Sequence, residues 1–161
     1  MARIYVETSI ASFYYEIRSE PDMVARRDWT RRWFDAALIG TDELVTSPAT
    51  LAELQSGDYP GKNDAVKLFD RLPLLSLDNA VIDIVDAYLA RKLMPQDPEG
   101  DALHLAVASY HRCDFLVTWN CKHLANANKF GQIERVNAIL GIGNPRLVTP
   151  LELLGENPTH A

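Results

Sequence analysis

Short apolar and β-branched runs alternate with helical stretches along the whole chain, and that alternation leaves few folds open. RIYV at residues 3–6, LVT at 44–46, LLSL at 74–77, FLVT at 115–118 and LV at 147–148 have the length and residue types of strands. The stretches between them carry apolar residues at helical spacing. Residues 22–39 hold Val24, Trp29, Trp33 and Leu38. Residues 63–72 hold Val66, Phe69 and Leu72, and residues 78–93 hold Val81, Ile84, Val85, Tyr88 and Leu89. Helix starts are marked by N-cap residues: Thr8 and Ser9 before IASFYYEI, then Ser47-Pro48 and Asp97-Pro98, each pairing a cap with a first-turn proline. ALHLAVASYH is apolar on nearly every face and should be buried on both sides. Strands alternating with helices predict an α/β fold: a mostly parallel sheet of about five strands, helices on both faces and right-handed crossovers.

The chain is 161 residues long, which fits a single domain over residues 1–161. With 47% apolar and 24% charged residues, global disorder is excluded. No run approaches the roughly 20 apolar residues of a membrane-spanning helix. MARIYVETS has no apolar signal stretch, so secretion is not expected. Cys113 and Cys121 do not make a disulfide framework, and a reducing cytoplasm is the expected setting. The net charge is −6, so binding to a nucleic acid would have to come from a local basic patch or from metal ions.

In sheets of this kind the active crevice lies outside the carboxyl ends of the strands. Glu7, Thr8 and Ser9 follow the first strand. Ser47 follows the second, with Glu53 six residues on. Thr118, Trp119 and Asn120 end the fourth, and Asp101 opens the buried helix before it. Convergence of Glu7, Glu53, Asp101 and Asn120 would give an oxygen-rich site suited to a hard cation such as Mg²⁺ or Mn²⁺. Such an ion activates water and stabilises charge on a phosphodiester in transit. Each residue also has a plainer role. Glu7 could face a helix N-terminus, and Glu53 could close a capping box with Thr50. Asp101 could be one more acid at a helix start, and Asn120 a turn residue.

Read together, IYVETS, SPATLAEL, GDALHLAVA and DFLVTWN resemble the PIN domain family, closest in flavour to the VapC-like toxins of toxin–antitoxin pairs. The resemblance runs from Arg3 to about Thr149, and the D-A-L-H-L-A-x-A block followed by x-L-V-T is its most specific part. It implies a three-layer α/β/α sandwich and a Mg²⁺- or Mn²⁺-dependent endoribonuclease. It also implies a homodimer neutralised by a cognate antitoxin protein. The family's three acids fall on Glu7, Glu53 and Asp101, expected to hold the metal directly or through water. Its fourth acidic position falls on Asn120, expected to orient a ligand or water. Its hydroxyls fall on Thr118 and Ser9, expected beside the site. Glu7 and Asn120 stand where the family usually has aspartate. A module that binds RNA or a protein without cutting is therefore the alternative, and a hydrolase of small phosphorylated metabolites is a third reading.

Further signals have competing readings. His104 lies three residues after Asp101, on the same helix face, and is either a packed core residue or a donor to the site. His111, Cys113, Cys121 and His123 offer four zinc ligand types, but a strand separates the two halves by about 15 Å. Arg26, Arg27, Arg31 and Arg32 form either a basic patch for an RNA backbone or a face paired with Asp22, Asp28 and Asp35. Trp29 and Trp33 fit burial or a dimer seam better than base stacking.

Overall fold

The computed structural model describes residues 1–95 and 99–155. Four strands form one sheet: β1 (Arg3–Val6), β2 (Glu43–Val45), β3 (Phe115–Val117) and β4 (Arg146–Val148). Their order is β2-β1-β3-β4, and every pairing is parallel. Tyr5 is in register with Val45 on one side and Leu116 on the other. The chain steps outward from β1 to β2, then crosses back to build β3 and β4. The order therefore reverses between β1 and β3, which is where a crevice opens in sheets of this kind.

Alternation along the strands feeds two cores. Tyr5, Val45, Leu116 and Leu147 point to one face, where they meet α5 (Asn79–Ala90), α6 (Glu99–Tyr110) and α7 (Ala127–Leu140). Ile4, Val6, Leu44, Val117 and Val148 point to the other. There they meet α1 (Thr8–Tyr14), α2 (Pro21–Leu38), α3 (Pro48–Gln55) and α4 (Lys62–Asp70), with α8 (Pro150–Gly155) beside them. This is the three-layer α/β/α sandwich the alternation predicts. As expected, α6 is buried nearly all round: Ala102, Leu105, Ala106, Val107 and Ala108 are all inaccessible.

The expected third strand, at residues 74–77, is a correction, and the sheet has four strands. Residues 74–77 make only an isolated bridge, Leu74 to Thr46, held by Thr46 N–H to Pro73 O and Leu75 N–H to Thr46 O. Pro73 has no N–H to donate to a ladder. Leu74 and Leu77 stay largely exposed, so little apolar burial favours extending the pairing. Asp97-Pro98, the expected start of α6, lies outside the described residues. No helix among the described residues is long and apolar enough to cross a membrane.

Candidate active site

Glu7 leaves β1 and caps α1. Its Oε1 accepts from Ser9 N–H at 3.1 Å, from the Ser9 hydroxyl and from the Thr118 hydroxyl at 2.6 Å. Those hydroxyls are themselves fixed from behind. Ser9 Oγ accepts Trp119 N–H at 2.8 Å, and Thr118 Oγ1 accepts Asn120 N–H at 2.9 Å. Glu7 is 6% exposed, and one of its carboxylate oxygens gathers three donors, so this buried polar group is well satisfied. The ends of β1 and β3 are thereby joined across the switch point.

Glu53 comes from α3 and reaches the same place through a histidine. Its Oε1 lies 2.7 Å from His104 Nε2, and His104 Nδ1 lies 2.7 Å from the Tyr5 hydroxyl. The Tyr5 hydroxyl meets Ser47 Oγ at 2.8 Å and Thr50 Oγ1 at 3.3 Å. Thr8 Oγ1 stands 3.4 Å from His104 Nε2. Burial alone would drive protons off His104. The oxygens of Tyr5, Glu53 and Glu7 outweigh it and hold the imidazole well above its ordinary pKa. Glu53, whose burial would raise it, is instead lowered by the bond and charge of His104. The capping box with Thr50 does not form, because Glu53 and Thr50 each serve this chain of bonds instead.

Asp101 opens the described part of the site on α6. Its Oδ1 accepts Asn120 Nδ2–H at 2.9 Å. Its Oδ2 is buried and has no hydrogen-bond partner. Burial raises the Asp101 pKa, and Glu7 raises it further; Asn120, His123 and His104 act against them. The Asn120 side-chain oxygen accepts from Lys122 N–H and His123 N–H, so this amide closes its own turn and holds Asp101 with its other end.

One oxygen from each of Glu7 and Glu53 and one nitrogen of His104 lie within 4.8 Å of one another. Among the described residues this is the group close enough to share an ion, and His104 stands in it where the sequence points to Asp101. The four zinc-type residues do not gather: His111 Nε2 meets Ser76 O at 2.9 Å, Cys113 is buried and Cys121 is exposed. Tyr5 and Gly100 also belong to the site, and the residue type of neither marks it. A Cβ on Gly100 would stand 2.7 Å from Glu53 Oε1. Only its place beside Asp101 could have drawn attention to it.

A parallel α/β sandwich that gathers Glu7, Glu53 and His104 beside its switch point has a side-chain group of the kind that can hold a metal ion. The chain belongs to the PIN domain family, whose profile matches residues 4–126; PIN domains are in general metal-dependent nucleases. No curated protein matches the chain.

Proposed function

We propose that this chain is a Mg²⁺- or Mn²⁺-dependent endoribonuclease of the toxin kind, hydrolysing RNA phosphodiester bonds in the cytoplasm as a homodimer restrained by a cognate antitoxin. The observation that carries the reading is the Asp101 Oδ2, buried without a hydrogen-bond partner in a carboxylate close enough to Glu7 for the two charges to interact. An unpaired buried carboxylate oxygen is expensive unless a cation or water answers it.

The donor set fits a hard ion. Glu7, Glu53 and Asp101 supply oxygens, which Mg²⁺ and Mn²⁺ favour. His104 carries a proton toward Glu53 and so orients that carboxylate instead of ligating. When bound, that ion lowers the pKa of water and offsets negative charge developing at phosphorus.

The chain's own residues prepare the ground. Ser9 and Thr118 turn their hydroxyl protons to Glu7 and fix which of its oxygens faces away. Asn120 aims Asp101. Tyr5 and His104 hold Glu53 across the gap from α3. Glu7 is one methylene longer than aspartate, and these three donors set where its carboxylate ends.

The test is cleavage of a mixed pool of structured and single-stranded RNAs with Mg²⁺ or Mn²⁺, with EDTA and Asp101→Asn alongside. Metal-dependent cutting that disappears in the variant is expected. Cutting that survives Asp101→Asn overturns the site assignment. No cutting with either ion favours the non-cleaving module, for which Asn120 in an acidic position is the supporting feature.

A further inference from the structure

The four arginines of α2 separate into different roles once folded. Arg27 Nε meets Asp28 Oδ1 at 3.1 Å. Arg31 Nε donates to Tyr14 O at 2.7 Å, and its guanidinium covers the Tyr14 ring. Arg32 is exposed. Arg26 is half-buried and stands over two rings, 5.2 Å from the Trp119 centroid and 5.7 Å from that of Phe13. No carboxylate among the described residues pairs with it.

Those rings pack in the core beside α2, and their chain neighbours hold the candidate active site. Trp119 lies between Thr118, which holds Glu7, and Asn120, which holds Asp101. Phe13 is on α1, the helix capped by Glu7. Trp29 backs Trp119 with centroids 6.3 Å apart and planes 27° apart. Thr30 adds a second tie: it accepts Trp119 Nε1–H at 2.7 Å and donates to Arg26 O at 2.6 Å. Arg26 is thus fastened, by side chain and backbone, to the segment that carries half the site.

We propose that Arg26 binds a backbone phosphate of the RNA strand next to the scissile bond; the inference rests on the nuclease reading above. A polyanion approaching three carboxylates on a chain of net charge −6 needs a cation at the rim. Stacking uses the flat face of a guanidinium and leaves its five N–H donors at the edge, where they match phosphate oxygens. Holding the side chain on two rings beforehand lowers the entropy lost when phosphate arrives.

The measurement is log(kcat/KM) for cleavage of an unstructured RNA against log[KCl] at saturating Mg²⁺. It compares the unaltered protein with Arg26→Gln, Arg26→Lys and Arg32→Gln. Loss of one phosphate contact is expected to reduce the steepness of the salt dependence by about 0.7 in Arg26→Gln. Arg26→Lys should retain the slope, since the charge stays, and Arg32→Gln should match the parent. A role confined to covering Trp119 and Phe13 would leave the slope unmoved. An unchanged slope in Arg26→Gln, with cleavage intact, therefore overturns the proposal and leaves the nuclease reading standing. Absence of metal-dependent cleavage in the parent overturns that reading and the proposal with it. Should Arg26→Gln fail to fold, an arginine-selective dicarbonyl answers the question without altering Arg26. Using the Asp101→Asn protein to prevent turnover, RNA should protect Arg26 from modification and leave Arg32 reactive. Equal modification of both with and without RNA overturns the proposal.

Discussion

Asp101 is an aspartate held where burial works against its charge, so its substitution separates stability from function. Asp101→Asn keeps the shape and removes the charge. The metal-free variant should melt at or above the temperature of the parent. Mg²⁺ or Mn²⁺ should raise the melting temperature of the parent only, by up to about 2.7 kcal/mol of stabilisation at a hundredfold excess over Kd. Thermal melts with and without EDTA read both effects. Gly100→Ala should show the same opposition. Alanine favours the helix by up to about 1 kcal/mol, while its methyl displaces the Glu53 carboxylate. A melting temperature that holds or rises, together with weaker metal binding by calorimetry, is the expected outcome. Much of this site is legible residue by residue, because Glu7, Asp101 and Asn120 each stand beside a strand end or helix start. The Tyr5–His104–Glu53 chain is not. Its members lie 99 and 51 residues apart, and nothing local marks a tyrosine in a strand as the partner of a histidine in a helix. The sequence likewise leaves His104 open between core and site, and burial with hydrogen bonds on both ring nitrogens makes it both.

Helices α5, α6 and α7 are tied together under the sheet by one polar group. The Tyr88 hydroxyl donates to Asn137 Oδ1 at 2.6 Å and lies 3.3 Å from the Ser109 hydroxyl, and Asn137 Nδ2 donates to Ser109 Oγ at 3.1 Å. Burial pushes the Tyr88 pKa up from 10.0 to about 12. A pKa raised on folding contributes stability that is present below the unfolded value and lost as pH rises toward the folded one. Roughly 3 kcal/mol should therefore disappear between about pH 10 and about pH 12. Urea unfolding across that interval should show the loss, and Tyr88→Phe should make it smaller by about this amount, the share of the Cys113 thiol, which burial pushes up to about 12, remaining. The variant should cost about 1–2 kcal/mol at neutral pH, because Asn137 and Ser109 lose a partner. At this scale the helices of the sequence reading are present with their ends shifted by a few residues. The run at 74–77 misleads because strand composition reports an apolar surface, whereas a strand also needs a neighbour with free backbone groups. Pro73 and the exposed position of Leu74 deny it that neighbour.

Across the whole molecule, the part that matches the family profile is not the whole fold. The match ends at residue 126, before α7 and β4. Yet β4 pairs with β3 along its length, and Ile133, Val136, Leu147 and Val148 are buried in the two cores. A chain ended at residue 126 would expose the outer edge of β3 and lose these side chains. It should show no cooperative thermal transition by circular dichroism, while the full chain does. The alternation of runs makes this architecture readable from sequence, since five short apolar stretches spaced by helices admit little else. The strand order is not readable that way, because it depends on which side of β1 the third strand docks.

That order has a consequence in time. β1 leaves a ribosome before its partners, which follow at residues 43–45 and 115–117. Parallel pairings over such separations close slowly and late. Glu7 is made long before the hydroxyl of Thr118 that fixes it. Until Thr118 and Asn120 follow, the acids of the candidate site lack the frame that aligns them. On the proposed nuclease reading, the chain would in this way stay harmless to the message and the ribosome producing it until that segment had been made.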